Sequence, residues 1–295
     1  MSTLLYKGAE AVCDLQAQLE INSAIFKLVA SNILANPDIH IKFTERYREW
    51  ILSTRLNVVK GLDQFPVVTY SNGTTESFDK FYLKHNSRRL RIFKGEYMYH
   101  IACGKHYFSE YTFLDEEKVK KNDVVVISLP FSDLGEEHPE TISILNQCLL
   151  LNVPVLIDCA FFGMCREMDF DFTHPAISEI TFSLSKFLPV SHLRIGARFS
   201  KVDDDDALLI NHKHGYINRL GAGVGLYILN TYTPDYNVIK YIELQEEFCK
   251  TLNIRPSKSV IFGIDETNQY PEYNRGYVTN RLCFSQYLND QQLPT

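Results

Sequence analysis

The chain is 295 residues long, 45% hydrophobic and 13% aromatic, enough to bury the core of an ordinary globular protein. A formal net charge of −6 without a dense basic face argues against a nucleic-acid binder, and no apolar run reaches membrane-spanning length. Seven cysteines without paired spacing, and a start with no signal-like apolar segment, point to reduced thiols in a soluble cytoplasmic protein.

Apolar positions Val12, Leu15, Leu19, Ala24, Leu28 and Ile33 predict an amphipathic helix over residues 8–34. Asn36-Pro37-Asp38 then resets the chain for a second helix through Trp50. Residues 66–70 read as a strand, followed by the small-residue turn Ser71-Asn72-Gly73-Thr74-Thr75-Glu76 that opens a helix. Backbone amides at such a helix start attract phosphate. A further strand over 90–93 precedes the aromatic stretch GEYMYH. Residues 123–129, 139–150 and 153–158 alternate strand, helix and strand, which predicts a mainly parallel sheet covered by helices. Ligands in such folds gather at the carboxyl ends of the strands, where Ser132 and Asp158 fall. An aspartate there also serves as a helix N-cap in many α/β proteins; the alternative reading is a carboxylate that keeps a pyridinium nitrogen protonated.

The segment TFSLSKFLPVSHLRIGAR, residues 181–198, decides between these readings. Ile180 and Phe182 before it, and Leu193, Ile195 and Phe199 within and after it, predict two short buried strands joined by a tight connection. That connection presents Ser183, Ser185, Lys186 and, eight residues on, Arg194. A partly desolvated lysine favours its neutral amine and becomes a Schiff-base nucleophile. An arginine fork and two serine hydroxyls suit a phosphate. Amine and phosphate site together imply pyridoxal 5′-phosphate. Read without its neighbours, the same segment is a surface Ser-Lys-Arg loop. Further on, the acidic run Asp203-Asp204-Asp205-Asp206 is a solvated loop or helix start and no metal site is expected. Residues 216–230 and 237–252 are helical by pattern, and 257–264 and 277–284 read as strands.

On these residues the chain resembles the aspartate aminotransferase superfamily, the fold-type I pyridoxal-phosphate enzymes of the class I/II aminotransferase kind. The resemblance covers roughly residues 65–200 and implies a three-layer α/β/α large domain with a mainly parallel sheet, plus a reduced α+β small domain. It divides the chain into N-terminal helices (1–60) packing on the core or on a dimer partner, a cofactor-binding large domain (61–230) and a truncated C-terminal domain (231–295). It also implies a role for each matching residue. Asn72, Gly73 and Thr74 supply phosphate-binding amides, Tyr97 stacks on the ring with Tyr99 and His100 as competitors, and Asp158 pairs with the ring nitrogen. Lys186 is the Schiff-base lysine, Ser183 and Arg194 bind the phosphate, and Arg281, with Arg275 as fallback, clamps the substrate α-carboxylate. Two positions depart from the pattern: Ser132 stands where the family has an asparagine on the cofactor's phenolic oxygen, and Phe161 where it has a tyrosine. Losing those donors predicts a raised internal-aldimine pKa.

The resemblance implies an aminotransferase that moves the amino group of an α-amino acid to a keto acid through a Lys186 aldimine, with small-molecule substrates and a homodimeric assembly. Two further readings stay open. One is a different reaction of the same cofactor, as in a decarboxylase, lyase or cyclase. The other is a non-catalytic member of the fold, supported by the short C-terminal domain, Ser132 and Phe161. Tyr216, Asn218 and Arg219 are candidates for reaching a second subunit.

Overall fold

The computed structural model describes residues 8–285 and Leu288. Helix α1 (Leu15–Ala30) starts later than its apolar spacing suggests, because Asp14 caps it and accepts the Ala17 N–H at 3.2 Å. Residues 8–14 lie outside the helix and lead away from that cap. In α2 (Ile39–Leu52) the buried side chains Phe43, Tyr47, Trp50 and Ile51 recur at helical spacing. Trp50, fully enclosed, donates its indole N–H to the Tyr232 carbonyl at 2.7 Å. Both helices pack against α7 (Arg219–Thr231), where Gly225 leaves room for the Phe43 ring; a Cβ there would sit 2.5 Å from it.

The chain then lays down β1 (Val58–Lys60), β2 (Val67–Ser71), α3 (Thr74–His85), β3 (Arg89–Ile92), α4 (Met98–Tyr107) and β4 (Tyr111–Phe113). These are followed by β5 (Asp123–Ser128), α5 (Thr141–Leu151), β6 (Val155–Cys159), β7 (Asp169–Asp171), β8 (Ile177–Ser183) and β9 (Gly196–Ser200). Seven strands form one sheet in the order β2-β9-β8-β6-β5-β3-β4. In it β9 runs antiparallel to both its neighbours, and the remaining pairings are parallel. Strands β5 and β6 are buried along their whole length, as unbroken apolar runs in the middle of a helix-covered sheet must be. Register aligns Ser128 with Asp158 and Asp158 with Thr181, so the carboxyl ends of β5, β6 and β8 form one edge.

Apart from the late start of α1, each sequence-derived strand and helix has a counterpart within a few residues, with two further differences of substance. The connection between β8 and β9 spans residues 184–195 and contains a short 3-10 turn, Ser191–Leu193, so Leu193 is not in a strand. Downstream, α6 (Ala207–Lys213), α8 (Tyr236–Leu252), β10 (Arg255–Pro256), β11 (Phe262–Asp265) and β12 (Asn280–Cys283) complete the fold. The strand expected over 257–264 is confined to β11, paired antiparallel with β10 and β12. Its first half loops because the Gln245 side-chain amide satisfies three carbonyls there, those of Ser257 and Ser259 at 2.9 Å and of Phe262 at 2.7 Å. The acidic run is paired rather than merely solvated: Asp206 caps α6 and binds Arg198, while Asp203 and Asp205 hold Lys213 at 2.8 Å.

Candidate active site

The carboxyl edge of the sheet opens into a cavity of about 450 Å³. Lys186, Asp158, Tyr97, Ser132, Phe161 and Ser183 line it, as do Thr74, Arg194 and Arg281. Residues from positions 74 to 281 therefore meet in one place, some of them singled out by local pattern and the others by the resemblance.

One end is an anion cradle at the N-terminus of α3. Arg194 donates to the Thr75 hydroxyl at 2.9 Å and reaches Ser185 Oγ at 3.4 Å. Its backbone is left-handed at φ 54°, and its carbonyl accepts the Tyr70 hydroxyl at 3.0 Å. Gly73, at φ +75°, lies against the Arg194 guanidinium, so any side chain there would displace the arginine. Ser183 and Ser185 share a hydroxyl–hydroxyl bond of 2.9 Å. The amides of Asn72 and Gly73 are occupied, by Glu76 Oε2 at 2.7 Å and the Ser71 carbonyl at 2.8 Å. Neither residue lines the cavity, which leaves Thr74 and Thr75 as the facing members of that loop.

At the centre, burial lowers the Lys186 pKa, and its ammonium donates to the Ala9 carbonyl, bringing the N-terminal segment to the cavity wall. Asp158 accepts the Ala160 N–H at 2.9 Å, yet burial pushes its pKa up to about 7. His100 lies behind it, with Nε2 3.9 Å from Asp158 Oδ2 and Nδ1 2.5 Å from the Tyr82 hydroxyl. Burial drops the His100 pKa to about 3 and raises that of Tyr82, so a neutral imidazole shares a hydrogen bond with a neutral phenol at Nδ1 and turns its Nε2 edge toward Asp158. Of the three aromatic candidates, Tyr97 lines the cavity and is 42% exposed, whereas Tyr99 donates to Asp79 at 2.6 Å and His100 is enclosed.

Ser128 in the cavity wall and Glu96 behind it escaped the sequence reading. Ser128, at the end of β5, gives its N–H and hydroxyl to Glu96 at 2.9 and 2.5 Å, and burial pushes Glu96 up to about 7. Strand-end position was the available signal for Ser128; Glu96, in a short turn, carried none. On the far wall Arg281 donates to the Ser132 carbonyl at 2.6 Å and stacks 4.2 Å above Phe262, with Arg275 beside it in the cavity lining.

No family model matches the chain, and no curated protein sequence matches it. Solved structures do. An aromatic aminotransferase from Pyrococcus horikoshii superposes with a TM-score of 0.71 at 10% identity, over 98% of this chain and 94% of that one. An L-threonine-O-3-phosphate decarboxylase from Porphyromonas gingivalis gives 0.63 at 13% identity, over 92% and 96%. A PLP-bound C-S lyase from Staphylococcus hominis gives 0.62 at 10% identity, over 92% and 82%. The fold is therefore the expected aspartate aminotransferase fold, which these proteins use for three different reactions.

Proposed function

We propose that this chain is a pyridoxal-phosphate-dependent aminotransferase acting on an α-amino acid, with Lys186 as the covalent attachment point. One observation carries the reading: a half-buried lysine, a buried aspartate and an arginine-serine-threonine cradle line the same cavity. These residues fit the cofactor. Arg194, Thr75, Ser183 and Ser185 form a cradle with donors for a phosphate, beside the N-terminus of a twelve-residue helix. Asp158 is the acidic group suited to a pyridine nitrogen, and a cation there would draw its pKa back down. Tyr97 offers an open ring face.

Bound there, pyridoxal phosphate supplies an aldehyde and an electron-withdrawing ring for chemistry at the substrate α-carbon. Lys186, its amine kept more readily neutral by burial, takes a proton from that carbon and returns it elsewhere. The His100–Tyr82 pair fixes the orientation of the dipole facing Asp158. Arg281, immobilised by Ser132 and Phe262, is suited to hold the α-carboxylate in a fixed fork.

The assembly we propose is a homodimer of chains with a large and a reduced C-terminal unit. Exposed apolar side chains along α1 and its following turn, Leu19, Phe26, Val29 and Leu34, support it. All seven cysteines are free, which suits a reducing cytoplasm, and among the described residues no helix is long and apolar enough to cross a membrane.

The test begins with added pyridoxal phosphate. A visible absorbance band, and a label on the Lys186 peptide after borohydride, are the expected results. A protein that stays colourless and unlabelled removes both enzyme readings and leaves the non-catalytic one. Loss of the band with an amino acid, accompanied by keto acid, selects transamination; release of carbon dioxide or ammonia selects the alternative, which the decarboxylase and lyase among the neighbours keep in view.

A further inference from the structure

Glu96 is a buried carboxyl that the proposed function leaves without a task. It stands in the turn between β3 and α4, one position before Tyr97, and is 1% exposed. That turn is held on both sides. Gly95, at φ +85°, packs so closely on Asp133 that a Cβ there would lie 2.7 Å from Oδ2. Glu96 then takes both polar hydrogens of Ser128, the N–H at Oε1 and the hydroxyl at Oε2. Fastening alone needs only an acceptor oxygen, which a neutral glutamine supplies at a smaller desolvation cost, so the ionisable group calls for a reason of its own.

The reason lies one strand away. Ser128 and Asp158 are register partners on β5 and β6, and partners on adjacent parallel strands, about 4.8 Å apart, turn their side chains to the same face. The carboxyl held by Ser128 is therefore a neighbour of Asp158, and burial and then the Glu96 charge push the Asp158 pKa up. The cations within reach are engaged elsewhere. Arg275 lies 3.4 Å from Asp133 Oδ1, and the Lys186 ammonium donates to the Ala9 carbonyl. The other titratable neighbours, Tyr82, Tyr97, His100 and Cys159, are kept neutral by burial. Two enclosed like charges resist coexisting, so the pair titrates as a unit in two steps. Hydrogen bonding decides which member ionises first: Glu96 receives the Ser128 N–H and hydroxyl, whereas Asp158 receives the Ala160 N–H at Oδ1.

We propose that Glu96 is a positioning residue for a proton: without cofactor, Glu96 and Asp158 share one negative charge, with the charge on Glu96 and the proton on Asp158. The protein thus brings the proton that a pyridine nitrogen shares with Asp158. On transfer the O–H bond of Asp158 breaks, an N–H bond forms with the nitrogen's lone pair, and Asp158 keeps the electron pair as counter-ion. What the proton is for rests on the pyridoxal-phosphate reading; where it sits rests on the two carboxyls alone.

Nuclear magnetic resonance of the cofactor-free protein, isotope-labelled at its Asp and Glu side-chain carboxyls, tests the placement. In the wild type Glu96 should titrate first and Asp158 at higher pH, the two signals being assigned by their loss in Glu96→Gln and Asp158→Asn. Glu96→Gln should lower the Asp158 midpoint by about one pH unit, and Glu96→Asp, which still ionises, should keep part of the elevation. A glutamate that merely fastened the turn would leave that midpoint unmoved. A second readout uses pyridoxine 5′-phosphate, which has no aldehyde and cannot bond to Lys186. Calorimetry at about pH 7.5 in two buffers of different ionisation enthalpy should show the wild type taking up fewer protons on binding than Glu96→Gln, by about half a proton. An Asp158 midpoint within about 0.3 unit of wild type in Glu96→Gln, or the reverse order of ionisation in the wild type, overturns the proposal. If Glu96→Gln does not fold, the wild-type order decides. If the protein binds neither pyridoxine phosphate nor pyridoxal phosphate, the cofactor reading fails on its own, and the carboxyl titration still decides the role of Glu96.

Discussion

The two ends of the central sheet hold buried charge in opposite ways. At the amino ends of β3 and β5, Arg89 forks onto Asp123 at 2.8 and 3.0 Å, Arg91 reaches the same carboxylate at 2.6 Å, and the Lys120 N–H adds a bond of 2.8 Å. Burial works upward on the Asp123 pKa, but these bonds outweigh it and the pKa is lowered. At the carboxyl ends, Asp158 and Glu96 are bonded by amides and a hydroxyl, and burial holds both near 7. A carboxylate enclosed by its cations is finished and serves the fold. A carboxyl kept poorly matched beside a cavity can still respond to what enters it.

The largest expected effect is at the responsive end. Lys186→Ala should remove the visible band given by pyridoxal phosphate and lower turnover by roughly 10³-fold, while far-ultraviolet circular dichroism stays unchanged. A variant that still forms the band would show that another amine carries it. At the matched end the effect should fall on folding instead. Asp123→Leu strands Arg89 and Arg91 beside an apolar side chain, and urea unfolding should report a loss of about 3–5 kcal/mol. A loss below about 1 kcal/mol would mean that the cluster contributes little to stability.

Much of the responsive end was legible in the chain because its groups sit at strand ends, where apolar runs stop and chemistry begins. Asp158 closes an unbroken apolar strand, and Lys186 and Arg194 stand between two others. Helix α4 was not legible: the side it buries carries His100, Cys103 and Gly104, two small residues and a polar one, so it has no apolar stripe to read. Glu96 was hidden for a related reason, since its role depends on Ser128, thirty-two positions away, which no local pattern connects to it. The Arg275–Asp133 pair is equally non-local. Local periodicity reports elements and their ends; it does not report which ends meet.

Glu96 allows the comparison to be measured through pH. Its folded pKa is raised from 4.5 to about 7, so the folded state binds the extra proton between those values. Its contribution to stability therefore falls as pH rises through that window, and the penalty is fully present above about pH 7. A shift of this size corresponds to something on the order of 3 kcal/mol. Glu96→Gln, which keeps an acceptor for Ser128 but cannot ionise, should raise the melting temperature at pH 8 by about 5 °C and leave it nearly unchanged at pH 5. Equal shifts at both values would assign the effect to packing and not to ionisation.

The smallest expected effect concerns how few donors the responsive end offers. Phe161 lies in the cavity wall with its ring 5.4 Å from that of Phe262 at 64°, and it has no hydroxyl to give to a phenolic oxygen. Ser132, also in the wall, offers a shorter donor than the asparagine of the resembling family. An anion that lacks donors holds its proton partner more tightly, so the wild-type visible band should titrate at a comparatively high pH. Phe161→Tyr adds a donor without removing the ring, and should lower that midpoint by about one pH unit, or roughly 1.4 kcal/mol. Ser132→Asn should act in the same direction, and the two should add approximately if each hydroxyl or amide reaches the oxygen independently. An absorbance titration decides it: an unusually low wild-type midpoint, or no downward shift in Phe161→Tyr, would show that donors elsewhere already satisfy the phenolic oxygen.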